Sequence, residues 1–486
     1  MFIRSVRNYR PIRAVCKARR SLALRATVLS LLSLTLAGCA SFSQDGGFGA
    51  VEQVAKERLR KEAKWIRSEA DRHAAQQRTG ELLAQPLSAD DAVQVALLNN
   101  RGLQASFHEL GISEADLVQV GRLPNPGFSF GRLRRGDERE IERGIHFNLA
   151  RLLLMPLATE VEERRFEATK RAVAMQMLAL ASETRKAYYA ALAAEETFRY
   201  ARQVMQAADA GAELARRMAQ VGNWNKLQHA REQGFYADAA LGLARAQQVR
   251  TATREKLIRL MGLWGAQTAF KLPERLPDLP KTATEMPAVE EAAMSQRLDI
   301  QGARLSTEQL AKNLGLTRTT RFINVLEFGL VHNSSNVEPT QRGYEISVEL
   351  PLFDWGDAKV AKAEAIYMQA VNRVAEMAIN ARSEVRGAYL GYRSAYDIAR
   401  HYRDEIVPTK KRISEENQLR YNGMLIGVFE LLADARAQIV AVNGYVDALR
   451  DFWLAQADLD MALIGRPAMS VAPTASLRAG EASAGH

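Results

Sequence analysis

Residues 342–350 read RGYEISVEL, and their side chains alternate: Tyr344, Ile346, Val348 and Leu350 on one side, Glu345, Ser347 and Glu349 on the other. A period of two is the signature of a β-strand with one apolar and one polar face. The same phrase occurs earlier as RGIHFNL from Arg143, where Ile145, Phe147 and Leu149 alternate with His146 and Asn148. The offset is 199 residues, and three further landmarks drift slowly around it. Leu103-Gln104-Ala105 matches Ile300-Gln301-Gly302 at 197, Gly222 matches Gly423 at 201, and Gly262 matches Gly465 at 203. The chain is therefore an internal duplication, and each copy has one order: a helix, two alternating segments, then a long helical stretch broken once by glycine. The partner segments are Phe128–Phe130 in the first copy and Phe322–Val331 in the second, the latter with Asn324 on its apolar side.

The long stretches carry a heptad. Val173, Leu180, Ala187, Ala194, Ala201, Ala208 and Ala215 recur every seven residues with Met177, Thr184, Ala191, Phe198, Met205 and Ala212 between them. Only Thr184 is polar. In the second copy Val374, Ala381, Ala388, Ala395 and Tyr402 alternate with Ala378, Val385, Tyr392, Ala399 and Ile406, all apolar. A seam sustained this long predicts supercoiled helices, and Pro156 to Gly222 alone would run about 100 Å at 1.5 Å per residue. Pro408 is expected to remove one hydrogen bond and bend the second long helix. Four strands with an apolar face leave two open edges, which a barrel abolishes. Because the smallest membrane barrels use about eight strands, four must be pooled between chains, and twelve from three copies is the economical solution.

The chain has 486 residues with 47% hydrophobic and 25% charged, too apolar for wholesale disorder. Its formal charge of +10 invites a nucleic-acid reading that the distribution removes. Eight basic residues and no acid lie in residues 1–38, and without them the charge falls to +2. That segment reads as an export signal: a basic stretch, an apolar run from Ala26 to Leu36 too short to span a bilayer, then Ala37, Gly38 and Cys39. Leu36-Ala37-Gly38-Cys39 resembles a lipobox, which implies acylation of Cys39 and cleavage before it, and Ala40-Ser41 in place of aspartate resembles sorting to the outer membrane. The other cysteine, Cys16, lies inside the signal, leaving no thiol for a disulfide or metal site. The seven histidines show no ligand spacing, and no phosphate loop or nucleophile elbow occurs, so neither a metal site, nor a cofactor beyond the lipid on Cys39, nor an enzyme is expected.

LPNPGFSFG from Leu123, LPLFDWG from Leu350, RLDIQGA from Arg297, VGNWNKLQHAREQ from Val221 and RYNGMLIGVFELLADARAQ from Arg420 together resemble the TolC family of outer membrane efflux proteins, over residues 88–466. The resemblance implies a mainly α fold, a long coiled-coil helical tunnel with four strands per chain entering a twelve-stranded trimeric barrel. It implies a channel in the outer membrane fed by a periplasmic adaptor and an inner-membrane pump. The expected organisation is a signal at 1–38, a lipid-anchored segment at 39–87, repeats at 88–271 and 288–466 joined by a linker at 272–287, and a disordered tail at 467–486. Gln44–Ala50 is expected as a further linker. Tyr344, Ile346, Val348 and Leu350 would face lipid. Gly222, Asn223, Trp224, Asn225, Tyr421, Asn422, Gly423 and Met424 would form the adaptor-contacting tip, Trp224 and Met424 being the telling ones because large apolar side chains at an exposed tip await a partner. Glu430 and Asp434 are the candidates for a gate, although the spacing of glycine and acid departs from the family's pattern. Two other readings stand beside it: a lipid-anchored periplasmic coiled-coil scaffold or adaptor without a pore, and the outer membrane channel of a protein secretion system.

Overall fold

The structure, a computed structural model, describes residues 40–322 and 325–466. Cys39 and the segment after residue 466 lie outside the described residues. The described residues divide into two compact units, and neither is continuous in sequence: one combines 40–44, Ser113–Arg164 and 309–366, the other Asp45–Ile112, Arg165–Glu308 and 367–466.

The first unit holds one antiparallel sheet, β1 (Gly127–Arg135), β2 (Glu138–Asn148), β3 (Leu326–Ser335) and β4 (Gln341–Val348), in the order β1-β2-β3-β4. The two copies join at β2 and β3, where Ile145 faces Leu330 and Arg143 faces His332. The third strand begins four residues later than the sequence suggests. Phe322 is in the turn before it, edge-on to Trp355 at 6.1 Å, and Asn324 is outside the described residues. Pairing continues beyond Val331 because His332 and Asn333 find backbone partners in Arg342 and Gln341 of β4, so polarity does not end the strand. Leu350 is a second correction. β4 stops at Val348, and the Leu350 carbonyl accepts from the Leu352 N–H at 2.8 Å in a tight turn around Pro351, since proline lacks the donor to continue the ladder.

The second unit is helical. Its elements are α1 (Phe48–Val54), α2 (Glu69–Leu83), α3 (Ala89–Asn99), α6 (Lys226–Met261), α7 (Val289–Gln296), α10 (Val407–Asn422) and α11 (Val428–Ile464), with most of α5 (Leu149–Gln220) and α9 (Asp357–His401). Two more helices, α4 (Arg101–Val120) and α8 (Leu298–Thr320), are divided between the units. The heptad is realised: none of its thirteen positions in α5 is exposed, nor any of the ten from Val374 to Ile406. Thr184, the polar exception, is fully buried and donates its hydroxyl to the Leu180 carbonyl at 2.7 Å, satisfying itself within its own helix. One core joins Leu192, Tyr392, Tyr396 and Phe452, with a second around Val51, Phe107, Val173 and Met177.

The expected linker at Gln44–Ala50 instead turns into α1 at Phe48, whose ring meets Phe107 edge-on at 4.9 Å. α2 is fixed by a reciprocal cap: Asp71 N–H donates to Ser68 Oγ, while Ser68 N–H and Oγ–H donate to the Asp71 carboxylate. The stretch 272–287 is strapped down, with Leu276 and Leu279 buried, Trp453 Nε1 donating to the Pro277 carbonyl and Tyr396 donating to the Lys281 carbonyl. Around Pro408 a wide π-turn, Tyr402–Ile406, comes first. α10 then restarts with the proline in its first turn, where no donor is required. The Tyr402 ring rests where a side chain on Gly444 would stand, 2.8 Å from that absent Cβ.

Candidate functional site

At the first break, α5 ends in a Schellman motif. The Asn223 N–H donates to the Met218 carbonyl at 2.9 Å and the Gly222 N–H to Ala219 at 3.2 Å, which puts Gly222 in the left-handed region at φ +79°. Asn225 then caps α6 reciprocally, accepting from the Gln228 N–H at 2.8 Å while its own N–H donates to the Gln228 side chain at 3.0 Å. The whole reversal takes five residues between helices.

The second break has the same hydrogen bonds one residue later than the glycine match suggests. Leu425 N–H donates to Arg420 and Met424 N–H to Tyr421, both at 2.9 Å. The left-handed residue is thus Met424, at φ +58°, while Gly423 has an ordinary φ of −80°. Structurally, Gly222 corresponds to Met424. A methionine there carries strain that glycine would avoid. Met424 is 94% exposed and Leu425 beside it is also exposed, as are Tyr421 and Asn422. Trp224 departs from expectation: its indole is half-buried, and the exposed apolar side chains at the first break are Val221 and Leu227.

The sheet gathers side chains that are far apart in sequence. Cross-strand partners share a face, so the register defines rows. One row is Phe128–Ile145–Leu330–Tyr344 and the next Phe147–Phe328–Ile346, followed by Leu326–Val348. These residues are all partly or largely exposed, with Tyr344 at 72% and Ile346 at 58%. The opposite face carries Glu138, Glu140, Glu142, Glu327 and Glu345 among glycines and polar residues, with Leu133, Val331 and Arg135 also on it. There His146 accepts or donates a 2.9 Å hydrogen bond with Ser129 and lies over Gly144 and Gly329. Past the end of β4, Leu350, Leu352, Phe353 and Trp355 are exposed, and Phe322 lies against Trp355. Among the described residues no helix is long and apolar enough to cross a membrane, and no three His, Cys, Asp or Glu side chains converge as a metal site.

No family model and no curated protein sequence matches the chain. Solved structures do. The Campylobacter jejuni CmeC outer membrane channel matches with a TM-score of 0.67 and 17% identity, over 77% of this chain and 85% of CmeC. The outer membrane protein VceC from Vibrio cholerae gives 0.65 and 14%, over 78% and 96% of the two chains. The open state of the Neisseria gonorrhoeae MtrE outer membrane channel gives 0.64 and 19%, over 78% and 90%. The chain has the fold of these outer membrane channels.

Within this channel fold the two gate candidates differ. Asp434 is half-buried inside its own hairpin, bonded by the Asn417 side-chain amide, whereas Glu430 is exposed on the first turn of α11. A third acid, Glu232, escaped the sequence reading. It is 1% exposed on α6, pairs with Arg436 of α11 at 2.5 Å, and so ties the two copies together; the Arg436 guanidinium also lies over the Phe235 ring at 4.3 Å. The signal was present in the duplication. Glu232 stands seven residues after its N-cap, Asn225, as Asp434 does after Gly427. Aligning the copies on glycines instead of caps hides that equivalence.

Proposed function

We propose that three copies of this chain close their sheets into one twelve-stranded barrel in the outer membrane, and that their long helices form a conduit that carries substrates from a periplasmic adaptor and an inner-membrane pump to the outside. One observation carries this reading: the sheet has one face of exposed Phe, Ile, Leu, Tyr and Val and two open edges, since among the described residues β1 pairs only with β2 and β4 only with β3. Neither an apolar face nor an open edge is tolerable in isolation, and pooling strands removes both problems. The acidic face then lines the water-filled side. Exposed Phe353 and Trp355 suit the boundary between hydrocarbon and water, where aromatic rings concentrate.

Cys39 bears the lipid that tethers the chain to the same membrane. The reversals at Gly222–Asn225 and Tyr421–Met424, with Met424, Leu425, Val221 and Leu227 exposed, receive the adaptor, whose preference for one state shifts the population of open channels. The protein moves its substrate without transforming it.

Purified, detergent-extracted protein placed in planar bilayers is expected to show discrete single-channel conductance. Cysteines introduced along β1 and β4, in a mature chain that otherwise has no free thiol, are expected to cross-link one copy to the next and yield trimers. A preparation without conductance, or one that cross-links no further than dimers, refutes the reading.

A further inference from the structure

The apolar face of the sheet does not stay apolar to its end. The row after Phe128–Ile145–Leu330–Tyr344 is Phe130–Arg143–His332–Arg342, the next contains Arg132 opposite Ile141, and the last sets Arg134 opposite Arg139. Five arginines thus occupy one face beside the hairpin turn, and no strand residue of that face is acidic. The other face shows the reverse, five glutamates and a single cation, Arg135. Alternation by two has sorted the charges: cations share a face with the apolar rows, anions have the face opposite.

Three features point to an anion held outside the protein. First, Arg132, Arg139, Arg143 and Arg342 are exposed and have no carboxylate partner among the described residues, while Arg134 reaches only the Gly136 carbonyl, at 3.0 Å. Second, Arg134 and Arg139 are directly opposed, and like charges in that position repel unless an anion lies between them. Third, every cation of the cluster is arginine, and none is lysine. A planar guanidinium grips phosphate with two parallel hydrogen bonds, which an ammonium cannot do. Their position fixes the source. Arg342 lies two residues from Tyr344, about 7 Å along an extended strand, so these arginines stand at the border of the apolar band. The anions available at such a border are lipid headgroups.

We propose that these arginine rows bind the phosphomonoester groups of a multiply phosphorylated membrane lipid at the rim beside the hairpin turns. Adjacent strands about 4.8 Å apart and rows about 7 Å apart place several guanidiniums within reach of one headgroup with two phosphates. The proposal rests on the reading that this face meets lipid.

The test uses the full oligomer, reconstituted into phosphatidylcholine vesicles containing either diphosphoryl lipid A or phosphatidylglycerol at matched charge, re-extracted in detergent, with retained lipid counted by native mass spectrometry. The wild type is expected to retain the diphosphoryl lipid at least tenfold over phosphatidylglycerol. R132Q/R143Q/R342Q should lose that preference, R143K/R342K should weaken it while keeping the charge, and R135Q on the opposite face should leave it intact. Equal retention of the two lipids, or equal loss with R135Q, overturns the proposal while leaving the barrel standing. Failure of the wild type to resist urea extraction from either vesicle overturns both.

Discussion

Glu232 and Arg436 are unequally buried, and that inequality makes a sharp prediction. The carboxylate side chain is 1% exposed and the guanidinium side chain 28%. Removing the arginine, as in Arg436→Met, strands a buried carboxylate, and breaking a buried pair in this way costs about 3–5 kcal/mol. Glu232→Gln is milder, because the arginine left behind keeps contact with water and with the face of Phe235, and the amide can still accept its hydrogen bond. A loss of about 3 kcal/mol corresponds to roughly a hundredfold in an opening equilibrium. Hydrogen exchange followed by mass spectrometry should therefore show amides near 226–240 and 430–440 exchanging about a hundredfold faster in R436M, with a smaller increase in E232Q. The double variant should fall short of the sum of the singles, because each removes the same contact. If E232Q proves the more damaging, or if neither variant alters exchange there, the pair does not join the two copies in the way described.

Replacing Met424 by glycine relieves a left-handed backbone worth roughly 1–2 kcal/mol while loosening the unfolded chain by about 0.4–1, so the last turn of α10 should exchange more slowly by a few-fold. Slower exchange in M424A instead would contradict the strain argument. On the sheet, Ile346→Lys puts a charge on the face assigned to lipid, at about 2–4 kcal/mol near the bilayer midplane, whereas Ser347→Lys on the other face should be tolerated. Equal yields of urea-resistant membrane protein from the two would invalidate the face assignment. The hydrogen bonds from Ser68, with Lys64 at 3.0 Å, hold the Asp71 carboxyl down at about 2. A depressed carboxylate stabilises the fold above its unfolded value near 3.9, and that contribution is lost as pH falls through about 2. The thermal midpoint gap between wild type and D71N is therefore expected to be widest above about pH 4 and to close toward pH 2.

Local periodicity is written along the chain, and so it could be read there. Alternation from Tyr344 to Val348, the heptads from Val173 and Val374, and the duplication near 200 residues each depend on which face of a strand or helix must leave water, a choice made within a few residues. They gave the helical class, the strand pairs and the places where the long helices break. Boundaries and partners were another matter. β3 runs on past Val331 to Ser335 because β2 and β4 supply backbone partners to His332 and Asn333, and β4 ends at Val348 because Pro351 follows in a tight turn. Met424, not Gly423, takes the left-handed conformation because the Schellman hydrogen bonds are counted from the last turn of α10, and sequence similarity aligned the glycines. Glu232 met Arg436 across 204 residues, and the arginines collected on one face by a register joining four strands. A residue's own neighbours dictate which way it faces. What it then touches depends on segments brought close only after the chain has paid the entropy of closing long loops, and no short window of sequence contains that outcome.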